Sequence, residues 1–559
     1  MQKIKIVSAL VVVLTLSLAG AVPAEGSPQS AITIDGDSLT LEQMFTLLDD
    51  DDVAVRLAPS AAARMQRSRR GALAALAGGQ RVYGWNQALG PLKDKPLDDG
   101  EQRAFQQHIL RSHAAGTGTA LEPGVARLAL VLRANSMARA AMGVRPAVAQ
   151  RLLALVNAGV TPKMPSIGSL GTGDLQPMAA AGLVASGESA PAVVAGRELP
   201  AGEALRKAGL PAAFRFEAGE ALALISGSSV LTARYVDALR RVRDLSEEFD
   251  GAFALFLEAT RAEAGSLDAR THAERRIPAQ SEAAARLRSL VKGSGWMTDA
   301  GRAAFGEDHP RVQDAVSVRA APHILGGLRQ TLGEARTIVE REANASTSNP
   351  LVLPRDGGGY EFVMGGNWDA AQIGHAVDTL NAESTDLAIL SHELSGRLLS
   401  EKWSYGLPAN LAGGKVGLNS GLVQISTVAT ALIPEMQAAA FPAGVLSRPV
   451  KFGQEDHNTM AMASVRNLHA NLDRLETVLA VQWLMGAQGI DLAAPKMGSL
   501  PLGEGTKALH AAVRARIAPL VEDRHQTPDL EAMVTLLRGP ELLTVQRRVT
   551  PALTMRAAA

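Results

Sequence analysis

The stretch of this chain with the clearest capacity for chemistry is Gly168-Ser169-Leu170-Gly171-Thr172-Gly173-Asp174-Leu175-Gln176-Pro177. Its three glycines, followed by Asp and Pro, describe backbone driven into positive φ and close approach before a helix begins. Such a turn can react with itself. If the amide nitrogen of Gly173 attacks the carbonyl carbon of Gly171, a five-membered ring closes. Loss of water from that ring and from Thr172 then leaves an electrophilic alkylidene. Glycine on both sides of Thr172 removes the side chains that would obstruct the closure. The plainer reading of the same run is a tight connection between two helices.

The elements that must hold this turn are helical. From about Leu39 onward the chain is rich in Ala and Leu at helical spacing, with Gly and Pro at the connections and few alternating runs. Long apolar periodicity with few breakers covers residues 230–264, 373–399, 422–440 and 460–487, and these lengths predict a bundle of extended helices. The expected fold is therefore mostly α, with an N-terminal lobe (25–229) carrying the glycine turn and a long-helix bundle domain over 230–559. The acidic run at 49–52 is expected as a solvated turn. Residues 355–359 (Arg-Asp-Gly-Gly-Gly) are expected as a hairpin-like loop, because no strand-loop-helix frame for a nucleotide surrounds them.

With 559 residues and 47% hydrophobic content, the chain can bury a large core. Lys+Arg and Asp+Glu stand at 56 each, so no global field favours nucleic acid or an anionic membrane, and neither is expected as a partner. The absence of Cys excludes disulfides, thiolate catalysis and Cys-ligated metal sites, and it suits an oxidising compartment. At the start, Lys3 and Lys5 precede an apolar run at 6–19 and then Ala21-Val22-Pro23-Ala24. This is the pattern of a secretory signal peptide (1–24) cut near Ala24, too short for a comfortable membrane span. The mature protein is expected to be exported, periplasmic or secreted, an uncleaved anchor being the alternative.

The glycine turn resembles the signature of the histidine and phenylalanine ammonia-lyase family, GSVGASGDLAPL, in which Ala-Ser-Gly cyclises to methylidene-imidazolone (MIO). Here the run reads GSLGTGDLQPM, with Thr172 in place of Ser and one residue fewer, in the slot of the Ala. The resemblance extends along nearly all of the mature chain and is closest in its motifs to histidine ammonia-lyases. It implies a fumarase/aspartase-like helical architecture and a MIO-type group made from Gly171, Thr172 and Gly173, with no external cofactor. It further implies a small amino acid substrate and a homotetramer in which three chains build each active site.

Residue by residue, Tyr83 in VYGWNQALG is similar to the catalytic Tyr of the family's YGxNTGFG loop and is the implied base. Read alone, it is a buried aromatic with a bonded hydroxyl. A phenol with a reference pKa near 10 works as a base only beside positive charge, so the site is expected to be electropositive. His113 in SHAAG matches the substrate side-chain pocket of the histidine enzymes, although a lone His amid Ala and Leu is more often structural. Arg127 and Arg133, in ARLALVLRANSMAR, are expected on the surface or in ion pairs.

Ser226, in EALALISGS, replaces the Asn that supports the prosthetic group in EGLALLNGT, and Asp174 and Gln313 join it in supporting the loop. In VQDAVSVR, which resembles VQDPYSLR, Arg319 matches the Arg that binds the substrate carboxylate, a role suited to the guanidinium fork. Val316 there takes the place of a second catalytic Tyr. Asn349 in EANASTSNPL and Trp368 in GGNWD match residues that contact substrate or pack beside the prosthetic group, and Asp369 replaces a His. Glu455 in GQEDHN is similar to the Glu that faces a polar or cationic substrate in the histidine enzymes. Read alone, the same cluster is a helix cap. Asp456 and His457 lack a third ligand at a recognisable spacing, so no metal site is expected.

The implied activity is elimination of ammonia from a histidine-like aromatic amino acid to an α,β-unsaturated acid such as urocanate. Tyr83 removes the β-proton, Arg319 holds the carboxylate, and His113 with Glu455 grips the side chain. Thr172, the missing residue, Ser226 and Val316 keep two alternatives open: a lyase or mutase working without the electrophile, and a secreted binding protein that kept only the pocket.

Overall fold

The structure, a computed structural model, describes residues 31–307, 309–553 and 555. The segment expected as a signal peptide, 1–24, lies outside the described residues.

The chain is mostly helical, in a fumarase-like bundle. Its long helices are Ser229–Ala259, Ala321–Ala343, Ala371–Leu398, Val423–Ala439 and Ala461–Met497. The first ends earlier than its apolar pattern does, because Arg261 takes a left-handed φ of 51° just beyond Ala259. The last runs ten residues past its expected end at Ala487. Gly489 packs there against Ala259, and helix Ala461–Met497 continues to Gly498 at φ 58°.

Helix Ser229–Ala259 lies at the centre, packed against Pro123–Ala138 on one side and Ala461–Met497 on another. Helix Ala371–Leu398 then covers Ala461–Met497. Phe249, Phe253 and Phe256 fall on one helix face at i, i+4 and i+7, with ring centroids 5.8 and 6.1 Å apart. All three rings and Trp483 are buried, and each ring contributes on the order of 2–3 kcal/mol by leaving water.

Strands are few and short. Ala31–Ile34 pairs in parallel with Ala54–Leu57. Leu351–Pro354 pairs antiparallel with Tyr360–Val363, so residues 355–359 form the expected hairpin loop. Residues 49–52 are exposed, as expected of a solvated turn.

Arg127 and Arg133 depart from expectation, since both are buried. Arg127 donates to the carbonyls of Leu47, Asp50 and Val53, and Arg133 Nη1 donates to Thr347 O at 2.9 Å. Helix Pro123–Ala138 is covered on nearly every side, so polarity along it marks carbonyls in need of a donor rather than a solvent face.

The two ends of helix Ser229–Ala259 carry different parts of the chain. At its N-terminus sits the glycine turn, with Asp174 Oδ2 accepting from Val230 N–H. At its C-terminus sits segment 311–319, with Asp314 Oδ2 accepting from Glu263 N–H at 2.7 Å and Arg311 donating to Thr260 O. At 1.5 Å per residue, the 31 residues of this helix separate the two by about 45 Å.

Candidate active site

The glycine turn is built for closeness. Gly171 and Gly173 hold φ of 92° and 96° on either side of Thr172. A Cβ on Gly171 would stand 2.5 Å from Thr459 Oγ1 and 2.9 Å from the Ala461 Cβ, so only glycine fits. Ser169 Oγ accepts from Gly171 N–H at 3.2 Å and reaches Asp174 Oδ1 at 3.0 Å. The next segment closes over the turn: Thr172 pairs with Asp369 in a single antiparallel bridge, and Ala370 N–H donates to Gly171 O at 3.2 Å.

Asp174 precedes helix Leu175–Ser186 but does not cap it with its side chain. Its carboxylate caps the long helix instead, accepting from Val230 N–H at 2.7 Å and Leu231 N–H at 3.2 Å, while its own N–H donates to Gly227 O at 2.7 Å. Burial pushes this carboxyl up to about 6, against the opposing pull of those N–H donors and of the Arg133 guanidinium. Arg133, driven down to about 9 by its own burial, is thus a buried counter-charge to the loop, where the sequence reading had it on the surface or in an ion pair. Its polarity inside an Ala- and Leu-rich helix was the only signal.

A cavity of about 740 Å³ opens beside the turn and gathers Tyr83, His113, Thr172, Ser226, Asn349, Trp368 and Glu455. Tyr83 Oη accepts from Gly90 N–H at 2.9 Å. Its hydroxyl is pushed up, first by burial and further by the Glu455 carboxylate, with only the Gly90 amide pulling it down. Arg81, Lys93 and Lys451 of the same chain line this cavity, but none of these cations offsets the burial of the Tyr83 hydroxyl, which rests as a neutral phenol. His113 Nδ1 lies 2.9 Å from Ile109 O, which requires a proton there. Burial lowers its pKa, so the ring is neutral and Nε2 remains an acceptor.

Glu455 does not stand alone. Lys451, which the sequence reading passed over, holds its Oε1 at 2.6 Å and also lines the cavity. Neither Glu455 nor Asp456 caps the following helix, whose N-cap is Met460 with no side-chain bond. Asn349 Oδ1 accepts from Gly365 N–H at 2.9 Å and so ties its own segment to the one leading into Trp368.

Ser226 lines the cavity without a side-chain hydrogen bond to the turn among the described residues; the support comes from the carbonyl of Gly227 next to it. Asn458 was also missed. Its Oδ1 accepts from the Thr172 hydroxyl at 2.7 Å, and its one sequence signal is its place at the end of the GQEDHN run.

Arg319 and Gln313 stand outside this cavity. Both are exposed at the far end of helix Ser229–Ala259, where Arg319 Nε donates to Asp314 O at 2.8 Å. Val316 beside them is 67% exposed.

A bundle of long helices that buries a glycine-bracketed hydroxyl residue at a helix N-terminus, with a phenol, an imidazole and a carboxylate around it, defines a helical lyase. Residues 39–515 match the model of the aromatic amino acid lyase family, and the chain belongs to that family of carbon–nitrogen lyases. It is 36% identical over 513 residues to a histidine ammonia-lyase of Anaeromyxobacter sp. (strain K), covering 90% of this chain and 98% of that one. To a tyrosine ammonia-lyase of Cupriavidus metallidurans it is 35% identical over 480 residues, covering 83% and 88%. Its structure is similar to that of tyrosine aminomutase from Streptomyces globisporus, with a TM-score of 0.85 and 29% identity over 93% of this chain and 99% of that one.

Proposed function

We propose that this protein is an exported ammonia-lyase that eliminates ammonia from a histidine-like aromatic amino acid, giving an α,β-unsaturated acid such as urocanate. The observation that carries the reading is the convergence of Tyr83, His113, Thr172 and Glu455 on one cavity. Relatives named as histidine ammonia-lyases support the choice of substrate.

The family is the MIO-dependent class, and the residues present fit such a group. Position 171 admits only glycine, both glycines take positive φ, and the Thr172 hydroxyl is buried and held. Gly171, Thr172 and Gly173 would form it, and it would supply an electrophilic carbon able to accept electrons from the substrate. Around it, Trp368 and the bridge at Asp369 cover the turn and exclude water. His113 Nε2 accepts from a ring N–H, and the Lys451–Glu455 pair presents a second polar partner to the ring.

Tyr83 is the base for the β-proton, and it needs positive charge beyond Lys451, whose ammonium is paired with Glu455. Arg319 is that charge and also the carboxylate fork. Because Arg319 stands about 45 Å from the turn of its own chain, the complete site draws it from another copy. This supports a site shared between copies, and the homotetramer with three chains at each site is what the family likeness implies.

Intact mass measurement tests the reading. A deficit of two waters, localised by digestion to the peptide with Gly171-Thr172-Gly173, together with ammonia release from histidine, is the expected result. A full mass removes the electrophile and leaves Tyr83, Arg319 and Glu455 to a MIO-independent lyase or mutase, or to a binding role.

A further inference from the structure

Asn458 is wholly buried, and its hydrogen bonds leave it one orientation. Its backbone N–H donates to Ser447 Oγ at 2.9 Å, and its Nδ2 donates to Arg448 O at 2.7 Å with Glu455 O at 3.4 Å. With Nδ2 committed to carbonyls, Oδ1 is the atom facing Thr172, and the 2.7 Å contact requires the Thr172 hydroxyl to donate. A β-branched side chain has few rotamers, and this bond selects among them.

We propose that Asn458 is a positioning residue for maturation of the turn, holding the Thr172 hydroxyl in the rotamer from which it leaves as water. The proposal rests on the reading that Gly171-Thr172-Gly173 forms the MIO-type group. Two waters leave in that process. In the first, Gly173 N bonds to the Gly171 carbonyl carbon. The carbonyl oxygen departs with the Gly173 and Thr172 amide protons, and a double bond forms to Thr172 N.

In the second, the Thr172 Cβ–O bond breaks and the hydroxyl takes up a proton, while the Cα proton is lost and its electron pair becomes the Cα–Cβ double bond. A hydroxyl that donates to Asn458 keeps its lone pairs open to that proton. One that accepted from residue 458 would have a lone pair occupied, and one without a partner would sample other rotamers.

The test compares wild type, Asn458→Leu and Asn458→Asp at equal age after expression, by intact mass, with thermal unfolding as the check of fold. The Leu variant keeps the shape and loses the acceptor, so the fraction lacking both waters should fall about tenfold, the scale of one hydrogen bond. The Asp variant keeps an oxygen toward Thr172 and gives up the Nδ2 donor, so it should mature like wild type. A merely structural role, tying the 447–455 segment together, would impair both variants alike. A Leu variant that matures in the wild-type proportion, or an Asp variant that stays unmodified, overturns the proposal. Should the Leu variant not fold, the Asp variant decides alone. A wild type of full mass instead removes the electrophile reading, and the role of Asn458 goes with it.

Discussion

The carboxylate of Asp174 and the amide of Val230 lie 2.7 Å apart, joined across 56 positions of sequence. This bond fixes the reactive turn to the N-terminus of the central helix, where unpaired N–H groups and the helix dipole favour a negative charge. Burial opposes that charge and places the carboxyl at about 6.

The Asp174 site therefore gives stability a defined pH dependence. Its folded value of about 6 lies above the ordinary 3.8, so the folded protein keeps a proton that the unfolded chain has lost. The contribution is complete below about pH 4 and is lost as the pH rises through about 6. Relative to Asp174→Asn, wild type should lose about 3 kcal/mol of unfolding free energy across that window and stay level above it. Denaturant unfolding of both proteins from pH 4 to 7 measures this, and a difference that grows with pH would contradict the assignment.

Tyr83→Phe separates chemistry from packing. The phenol oxygen accepts one hydrogen bond, from Gly90 N–H, so stability should fall by only about 1 kcal/mol. Ammonia release should drop by roughly 10²–10⁴, the range of a general base. Retained turnover would show that the β-proton leaves by another route.

The cavity should prefer a polar ring. Histidine, or a related imidazole acid, should raise the unfolding temperature more than phenylalanine does. An apolar ring leaves His113 Nε2 without a partner, at roughly 1–3 kcal/mol, and gains nothing from the Lys451–Glu455 pair. Equal protection by both ligands would count against the role of Glu455.

Arg319→Ala and Tyr83→Phe should each be inactive alone. Co-expressed, they should recover part of the wild-type activity, because some sites in a mixed oligomer would combine an intact Tyr83 with an intact Arg319 of another copy. Absence of recovery in verified mixed oligomers would speak against sites shared between chains.

Fractionation of cells should place the protein outside the cytoplasm with an N-terminus at or near Glu25. A cytoplasmic product that retains residues 1–24 would refute export.

The sequence by itself determined four of the five long helices, the family and the reactive turn, because each is written in local spacing; helix Ala321–Ala343 was not among them. Apolar periodicity put the helices within a few residues of their observed starts, and the Gly-Thr-Gly turn needs only its own backbone to be recognised. The helix ends at Ala259 and Met497 were not legible: the first follows the left-handed Arg261, and the second lies past Gly489, whose cost of about 1 kcal/mol in a helix is accepted where it packs closely against Ala259. The same holds for the polar interior. That Asp174 caps a helix beginning at Ser229, that Asn458 receives the Thr172 proton, that Lys451 neutralises Glu455 and that Arg133 lies beneath the turn are matters of which side chains meet. A charged or amide side chain in sequence carries no mark of its partner, because hydrogen bonds and desolvation act through a few ångströms of space whatever the separation along the chain. The distance of Arg319 from the turn belongs here too, since it is set by the length of one helix lying between two motifs that the sequence presents as parts of a single site.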